Sequence, residues 1–296
     1  MKYVTCDIMG GIGNQLFQIF TVIAYAIKHN WIFVFPYFDE IEGFTPRRFT
    51  AWNHFLKDLK QYTTADKRND MIAGYISNFP IYREPGFKFT EIPCNNNFMF
   101  LKLIGYFQSY KYFDKYFDKI SKMINLDQQI KDVNDNNKEL LADEYNISMH
   151  FRVGDYKMMQ AHHPLMPYKY YFNSLKYILK LTKEEKTKVI YFCEKEDIEF
   201  VNETIAKLKL QYKNLEFIRA SDEIPDWQQM LLMSCCDANI IANSSFSWWG
   251  AYFNNKQKKV ICYPNIWFGR AQGKNDISDL IPSTWKKINT REDEEY

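Results

Sequence analysis

From position 147 onward, short apolar runs alternate regularly with longer stretches whose apolar residues recur every three or four positions. Short apolar runs bounded by polar residues predict buried strands, and the longer periodic stretches predict helices. The predicted strands cover 147–151, 188–193, 215–218, 238–242 and 259–263. The predicted helices lie near 167–180, 197–209, 226–236 and 246–254. Because strands alternate with helices, this part of the chain is expected to form a parallel sheet in a Rossmann-like domain.

The first half of the chain is less regular. A strand, a helix and a second strand are predicted up to Phe35, after which prolines interrupt any long element. The stretch from Asp127 to Asn146 is rich in Asp, Asn, Gln and Lys, so a domain boundary is expected there. The predicted division has a domain at 1–130, a polar linker at 131–146, a domain at 147–285 and an acidic tail at 286–296.

A cluster of polar and charged residues lies at the end of the predicted strand 147–151. Its sequence is His150-Phe151-Arg152-Val153-Gly154-Asp155-Tyr156. An arginine at this point is placed where an open α/β sheet presents groups to a ligand, and guanidinium matches phosphate oxygens in a bidentate way. Arg152 therefore indicates an anionic ligand. The alternative is a turn in which Arg152 and Asp155 form only a surface ion pair.

A glycine-rich turn follows the first predicted strand and opens the first helix. Gly11 and Gly13 let the backbone approach a ligand closely, and the helix N-terminus near Asn14 offers N–H groups to an anion. A dinucleotide site is the rival interpretation. Leu16 stands where the dinucleotide fingerprint has its third glycine, which weakens that interpretation.

A third polar turn follows the predicted strand 238–242. Its residues Asn243, Ser244, Ser245 and Phe246 are suited to capping a helix, and a capped N-terminus also attracts an anion. The two tryptophans that come next, at 248 and 249, are interpreted as core residues.

Taken together, these segments resemble the α-1,2-fucosyltransferases, inverting enzymes that use GDP-fucose and share a fold with the protein O-fucosyltransferases. The resemblance covers nearly the whole chain, in order. It rests on Gly10 to Gln18, Gly105-Tyr106-Phe107-Gln108 with Tyr112-Phe113, His150 to Tyr156, Phe192-Cys193-Glu194 with Asp197-Ile198-Glu199, Met230-Leu231-Leu232-Met233, and Asn243 to Ala251.

The resemblance implies an α/β fold of the GT-B type, with two Rossmann-like domains facing a cleft. It implies transfer of L-fucose from GDP-β-L-fucose to a glycan hydroxyl, the 2-hydroxyl of a terminal galactose, with formation of an α-1,2 linkage. Arg152 is then expected to stabilise the leaving diphosphate, helped by backbone N–H groups at Ser244 to Phe246. Asp155 is expected either to accept the acceptor proton or to orient Arg152. The residues expected to bind the donor are His150, Arg152, Asn14, Gly11, Gly13, Glu194, Asn243, Ser244, Ser245 and Phe246.

No metal or other cofactor is expected. Metal-dependent transferases of the other common fold carry Asp-x-Asp, and this pattern occurs nowhere in the sequence. His162 and His163 are adjacent and precede Pro164, which favours a loop over a pair of metal ligands.

The sequence departs from the family pattern at two positions. Gln229 stands where the family often has an acid, and Ala238 stands where it often has a histidine. An acid at the former position resembles a reader of guanine, because a carboxylate accepts from two N–H groups whereas Gln has one acceptor oxygen. Asp226 or Asp237 could take that role. Otherwise the donor would be another nucleotide-linked 6-deoxy-L-sugar, such as a rhamnose.

Two other classes of function stay open, a nucleotide-dependent oxidoreductase or epimerase and a non-catalytic carbohydrate-binding module. The first lacks a complete nucleotide fingerprint. The second would not need Arg152 together with an anion-ready turn at Ser244. A net charge of +2 excludes a nucleic-acid-binding surface of the usual strength.

Apolar content and cysteine usage indicate the compartment. With 46% hydrophobic residues, a chain of 296 residues can form two domains with real cores. No apolar run reaches the ~20 residues that span a bilayer, and the six cysteines show no CxxC spacing. We therefore expect a cytoplasmic, soluble protein with buried and reduced cysteines. The family resemblance implies the microbial or viral type, which has no membrane anchor.

Overall fold

The chain forms two units in the computed structural model, which describes residues 1–43, 47–95, 97–142, 144–184 and 186–290. The first unit is Met1–Gln128 together with Asn275–Pro282. The second unit is Gln129–Lys274 together with the described residues from Ser283 onward.

The first unit is built on a four-stranded parallel sheet. The strands of this unit are β1 (Tyr3–Cys6), β2 (Ile32–Phe33), β3 (Glu40–Ile41), β4 (Arg48–Phe49), β5 (Ile81–Arg83) and β6 (Phe100–Ile104). Its helices are α1 (Ile12–His29), α2 (Asp70–Ala73) and α3 (Phe117–Met123). The sheet has the order β2-β1-β6-β5, while β3 and β4 form a separate antiparallel pair.

Helix α1 forms the centre of this unit. It begins after Gly11 and ends at Asn30, whose φ of 56° is left-handed, as is common where a helix stops. Every residue from Gln15 to Ala26 is buried. A helix that is apolar on all sides has to be enclosed, and α1 packs against β1 and α3.

The segment Asn275–Pro282 is held in the first unit through Asp279. The Ser109 hydroxyl donates to the Asp279 carbonyl oxygen at 2.7 Å, and the Phe89 N–H donates to the Asp279 carboxylate at 3.2 Å. Lys111 forms an ion pair with the same carboxylate. A late stretch of the chain therefore supplies polar partners to the first unit.

The second unit is built on a six-stranded parallel sheet with the order β12-β11-β10-β7-β8-β9. Its strands are β7 (Tyr145–His150), β8 (Thr187–Phe192), β9 (Glu216–Arg219), β10 (Ala238–Ile240), β11 (Val260–Pro264) and β12 (Lys286–Ile288). Its helices are α4 (Leu126–Asn136), which begins at the unit boundary, α5 (Lys138–Leu141), α6 (Tyr168–Thr182), α7 (Ile198–Gln211), α8 (Asp226–Cys235) and α9 (Ser245–Tyr252).

The core of the second unit packs against one face of this sheet. Ile147 and Met149 of β7 belong to it because alternate residues of a strand share a face, and Leu175 and Ile178 of α6 are part of the same cluster. All four side chains are fully buried. This packing holds β7 rigidly in the middle of the sheet.

The predicted α/β class with two Rossmann-like units is confirmed, since both large sheets are parallel and carry connecting helices. All the strands and helices predicted from 147 to 264 are present, with bounds shifted by a residue or two. That the two units face a cleft, as in the GT-B type, stays a prediction.

The stretches expected to be a linker and a tail contain regular structure. Helices α4 and α5 occupy most of 131–141. Leu126, Gln129 and Val133 are buried at helical spacing on α4, a pattern that the polar composition conceals. Strand β12 pairs with β11, so residues 286–288 belong to the sheet. Of the remaining residues of the expected tail, 289 and 290 are described, and 291–296 lie outside the described residues.

All six cysteines are free, and their burial differs from the expectation at Cys94. Cys94 is exposed and Cys193 is partly buried, whereas the remaining four are buried. Among the helices that the structure describes, none is long and apolar enough to cross a membrane.

Candidate active site

The order of the six-stranded sheet reverses between β7 and β10. The chain runs outward from β7 through β8 to β9, then returns to place β10 on the other side of β7. Ile240 of β10 pairs with Met149 of β7, so the two strands end side by side. Open parallel sheets bind ligands at the carboxyl ends of strands where the order reverses. The loops after β7 and β10 are therefore the candidate site of this unit.

Arg152 lies in the loop after β7, with its side chain 17% exposed. Its Nη2 forms an ion pair with Asp155, and its Nη1 lies 2.5 Å from a carboxylate oxygen of Glu194, which follows β8. The guanidinium carbon is 4.9 Å from the centre of the Tyr156 ring. The Tyr156 hydroxyl donates to the Asn243 carbonyl oxygen at 3.2 Å, which links the loop after β7 to the loop after β10. The structure thus brings two predicted site residues, Asp155 and Glu194, to the guanidinium of a third, Arg152.

A buried carboxylate, to which the sequence analysis assigned no role, holds the loop after β7. Asp197 is 2% exposed, accepts from the Gly154 N–H at 2.7 Å and accepts from the Lys157 ammonium at 2.8 Å. Gly154 has a φ of 28°, in the region that favours glycine. Asp197 therefore positions the turn in which Asp155 lies. In the sequence Asp197 belongs to one of the segments that carry the family resemblance, but nothing there shows that it is buried.

A stack of rings continues from Tyr156. His163 stacks on the Tyr156 ring at 4.7 Å between ring centres and 18° between planes, and Phe268 lies 5.7 Å from His163. Burial lowers the pKa of His163, while the nearby Asp155 carboxylate acts in the opposite direction. A neutral His163 ring thus supports the tyrosine that contacts Arg152.

His150 is buried at the end of β7, on the face opposite the core cluster. Burial, reinforced by the charge of Arg152, lowers the pKa of His150 to about 3. Its ring lies 5.6 Å from the Phe246 ring, and its Nδ1 has no hydrogen-bond partner in the described part of the chain. The imidazole is therefore neutral near pH 7 and can offer a neutral hydrogen bond to a ligand, but not a charge.

The turn after β10 is more self-contained than predicted. Ser244 caps α9, since its hydroxyl oxygen accepts from the Phe246 N–H at 3.3 Å, and the Ser244 N–H donates to Ala242 at 2.8 Å. Of the backbone N–H groups expected to bind a diphosphate, those of Ser244 and Phe246 therefore already have partners, and Ser245 lies between them at the start of α9. The Asn243 amide donates to two carbonyl oxygens at 3.0 Å, while its Oδ1 is buried and has no partner among the described residues.

The predicted tryptophan packing is confirmed, because Trp248 and Trp249 are fully buried. No group of three or more His, Cys, Asp and Glu side chains suited to a metal ion occurs within the described residues.

The first unit has its own point of reversal between β1 and β6, and the glycine-rich turn lies there. Gly11 precedes α1, Gly13 lies in its first turn, and the side-chain oxygen Oδ1 of Asn14 accepts from the Gln108 side-chain amide at 2.8 Å. Gln108 follows β6, so this hydrogen bond joins the two loops. The glycine turn is further tied down by two buried glutamines. Gln15 donates to the Gly10 carbonyl oxygen, and Gln18 pairs with both backbone groups of Met9.

Glu84 lies beside the same loops, directly after β5. Its carboxylate accepts from the Phe107 N–H at 2.8 Å, and its other oxygen is buried with no partner among the described residues. Burial raises the pKa of Glu84 to about 7, although the N–H groups of Phe107 and Tyr106 lower it. A Cβ on Gly105 would lie 2.4 Å from the Glu84 Cβ, so only glycine leaves room for this side chain.

The residues considered for base recognition lie at two places in the second unit, the start of β10 and the start of α8. Asp237 and Ala238 lie at the amino end of β10, whereas Arg152 follows the carboxyl end of the neighbouring strand β7. Asp237 accepts from the Asn146 N–H at 2.8 Å and from the Lys256 ammonium at 2.7 Å, which gives it a structural role there. Gln229 lies on α8 and donates to the carbonyl of residue 224 at 2.8 Å. Asp226 is exposed at the start of the same helix.

Named glycosyltransferases are similar in sequence to this chain over nearly its whole length. The chain is 26% identical to an α-1,2-colitosyltransferase of Escherichia coli over 97% of this chain and 99% of that protein. It is 27% identical to the O-antigen biosynthesis glycosyltransferase WbnK of Escherichia coli, over 93% of this chain and 97% of that protein. It is 23% identical to a galactoside 2-α-L-fucosyltransferase of Caenorhabditis elegans, over 94% of this chain and 77% of that protein.

The family description "Glycosyl transferase family 11" matches residues 2–279, which is nearly the whole chain. The chain belongs to glycosyl transferase family 11 and is a glycosyltransferase.

Proposed function

We propose that the protein transfers L-fucose, or the related 6-deoxy sugar colitose, from its GDP derivative to the 2-hydroxyl of a terminal galactose. Relatives that align over at least 94% of this chain are named for α-1,2 transfer of colitose and for 2-α-L transfer of fucose to a galactoside, which supports both donors and this linkage. A rhamnose-type donor is the alternative, because no carboxylate near Gln229 has a clear role in reading guanine.

The observation that carries the proposal is Arg152 at the reversal of the second sheet. Breaking the bond between sugar and diphosphate leaves negative charge on GDP, and a preorganised cation beside that charge stabilises the transition state. The planar fork of Arg152 suits two phosphate oxygens. We therefore assign Arg152 to the leaving diphosphate, in place of a metal ion.

The geometry around Arg152 favours one of the two roles considered for Asp155. Its carboxylate pairs with Nη2 of Arg152, and the turn that carries it is tied to Asp197. A carboxylate used in this way orients the guanidinium. We therefore assign Asp155 to orienting Arg152 rather than to accepting the acceptor proton. In an inverting transfer the acceptor hydroxyl attacks the face opposite the departing diphosphate.

Two further predicted contacts of the second unit are assigned to the nucleotide sugar. His150, neutral and buried under Phe246, offers a hydrogen bond to the donor, and the unpartnered Oδ1 of Asn243 is an acceptor nearby in the loop after β10. In the first unit, Gly11, Gly13 and Asn14 form a turn at the corresponding reversal of the sheet, where the backbone is open to close approach.

A donor screen tests the proposal. The protein is incubated with galactose-terminated oligosaccharides and with GDP-fucose, GDP-colitose or nucleotide-linked rhamnose, each with and without EDTA, and the product linkage is determined by NMR. We expect an α-1,2-linked product from a GDP donor, formed equally well in EDTA. Loss of product in EDTA would contradict metal independence, and a product from the rhamnose donor alone would contradict the proposed donor.

Arg152→Lys tests the assigned cation, and Arg219→Lys is its matched control. Arg219 has a side chain 19% exposed and also pairs with an acid three residues later, Asp222, but it lies at the end of the edge strand β9. Lysine keeps the charge and loses the bidentate fork, so R152K is expected to lower kcat at least ~100-fold. R219K is expected to stay near the wild-type rate. Equal effects of the two substitutions would contradict the assignment.

A further inference from the structure

We propose that Glu194 is an exchangeable anion that occupies Arg152 until the diphosphate of the donor displaces it. This inference rests on the proposed function, because it requires that Arg152 receives a diphosphate. It gives Glu194 a role in setting which anions the site accepts.

Both terminal nitrogens of Arg152 have carboxylate partners. Asp155 pairs with Nη2, and Glu194 lies 2.5 Å from Nη1. A phosphate group binds guanidinium best through two parallel N–H bonds, and the departure of one carboxylate frees a terminal nitrogen for such a pair. Charge leads to the same conclusion. One guanidinium between two carboxylates leaves a net negative charge, which repels a diphosphate until one carboxylate withdraws.

Glu194 is the carboxylate that can withdraw. Its side chain is 53% exposed, whereas that of Asp155 is 29% exposed. Asp155 lies in the same turn as Arg152, and that turn is held by the buried Asp197. Glu194 comes from the loop after β8, and water can solvate its carboxylate as soon as it turns outward.

The Glu194 carboxylate lies in the space beside Gly154. A Cβ added to Gly154 would be 3.0 Å from Glu194 Oε2 and 3.6 Å from Arg152 Nη1. The absent side chain at 154 therefore lets the Glu194 carboxylate lie against the turn and reach the guanidinium. The same space is open to a phosphate oxygen once Glu194 has moved.

The consequence is selection by charge. A diphosphate carries more than one negative charge and replaces a single carboxylate with a gain in electrostatic energy. A singly charged anion such as acetate carries the same charge as the Glu194 carboxylate, so it gains no electrostatic energy by replacing it. Glu194 thus keeps weak anions off Arg152 without preventing the binding of a diphosphate.

Binding of GDP and of inorganic pyrophosphate, measured by calorimetry on the full chain, tests this inference. Glu194→Gln removes the competing charge, so we expect both ligands to bind about 2- to 5-fold more tightly, the range of an ion pair with one exposed partner. Glu196→Gln is the matched control, because Glu196 is exposed, lies two residues away and removes the same formal charge. It is expected to leave both affinities unchanged. Millimolar acetate should reverse the gain of E194Q and leave the wild type unaffected.

Several results would overturn the inference. Weaker binding by E194Q would mean that Glu194 contacts the donor directly. Unchanged binding, or an equal gain in E196Q, would mean that Glu194 does not compete for Arg152. The failure of this inference is distinct from that of the proposed function. If the protein forms the expected product but E194Q shows no gain, only the exchange is wrong. If E194Q gains affinity but no sugar is transferred, only the function is wrong.

Discussion

Replacing Asp197 by Asn tests whether the buried carboxylate positions the loop that carries Arg152. The substitution keeps the shape of the side chain and removes its charge. Asp197 accepts two hydrogen bonds, from the Gly154 N–H and from the Lys157 ammonium. Asn has one acceptor oxygen, and its NH₂ group would face one of these two donors, so at least one of the bonds is lost.

The magnitude follows from the burial of the three groups. A hydrogen bond to a buried charged group contributes about 1.5–3 kcal/mol. The ion pair contributes less, about 0.5–1 kcal/mol, because Lys157 is exposed and regains water. We therefore expect D197N to lower the free energy of unfolding by about 2–3 kcal/mol. The turn then moves away from its productive position. If this raises the activation free energy by roughly half of that amount, kcat/KM falls about tenfold.

Asp237→Asn provides the control. Asp237 also accepts from a backbone N–H and from a lysine, Lys256. It lies at the amino ends of the strands, whereas Asp197 lies at their carboxyl ends. D237N is expected to lower stability and to leave kcat/KM unchanged. Urea unfolding and donor-saturation kinetics on both variants separate the two effects. The reasoning is refuted if D197N and D237N reduce kcat/KM alike, or if D197N loses stability while its turnover stays at the wild-type level.

Two further predictions concern the ring stack and Glu84. His163→Ala removes the support for Tyr156 and should lower kcat/KM about 3- to 10-fold, as expected for an aromatic contact, whereas His163→Phe keeps the stack and should stay near wild type. Steady-state kinetics on the two variants decides between stacking and a role for the imidazole nitrogens, which would make H163F as defective as H163A. Burial raises the pKa of Glu84 from its ordinary value of 4.5 to about 7, so the folded protein binds more protons than the unfolded chain between these values. Stability should therefore fall as pH rises through this window, by about 3 kcal/mol at most. Gln does not titrate, so from pH 4.5 to pH 7.5 wild type should lose stability relative to E84Q. A difference in unfolding free energy that does not change with pH would contradict the raised pKa.

The second half of the chain was predictable because its central strands β7, β8 and β10 are short, mostly apolar and buried on both faces. Such strands stand out against the amphipathic helices between them, and the end of β7 fixed the position of Arg152. Helix α4 did not stand out, because only Leu126, Gln129 and Val133 mark its buried side within a polar stretch. Composition averages over such a stretch, whereas a helix needs only one apolar stripe.

Parts of the candidate site could not be predicted because they depend on contacts between distant positions. Asp197 and Glu196 are adjacent acids after the same strand, and only the fold shows that one is buried beneath Gly154 and the other is exposed. The cap at Ser244 was predicted from its residue type. Its consequence, that the cap and the turn occupy N–H groups expected to face a ligand, needed coordinates.

The placement of Asn275–Pro282 has a practical meaning for anyone who wishes to dissect the protein. The two units do not follow one another in the sequence. The first unit includes the late segment Asn275–Pro282, and residues of the second unit precede and follow this segment. A fragment ending at 128 would lack Asp279 and would leave the Phe89 N–H, the Ser109 hydroxyl and Lys111 without the partner they share. A single cut therefore cannot yield an intact first unit. A recombinant version of it needs residues 275–282 restored, for example through a short designed connection after residue 128.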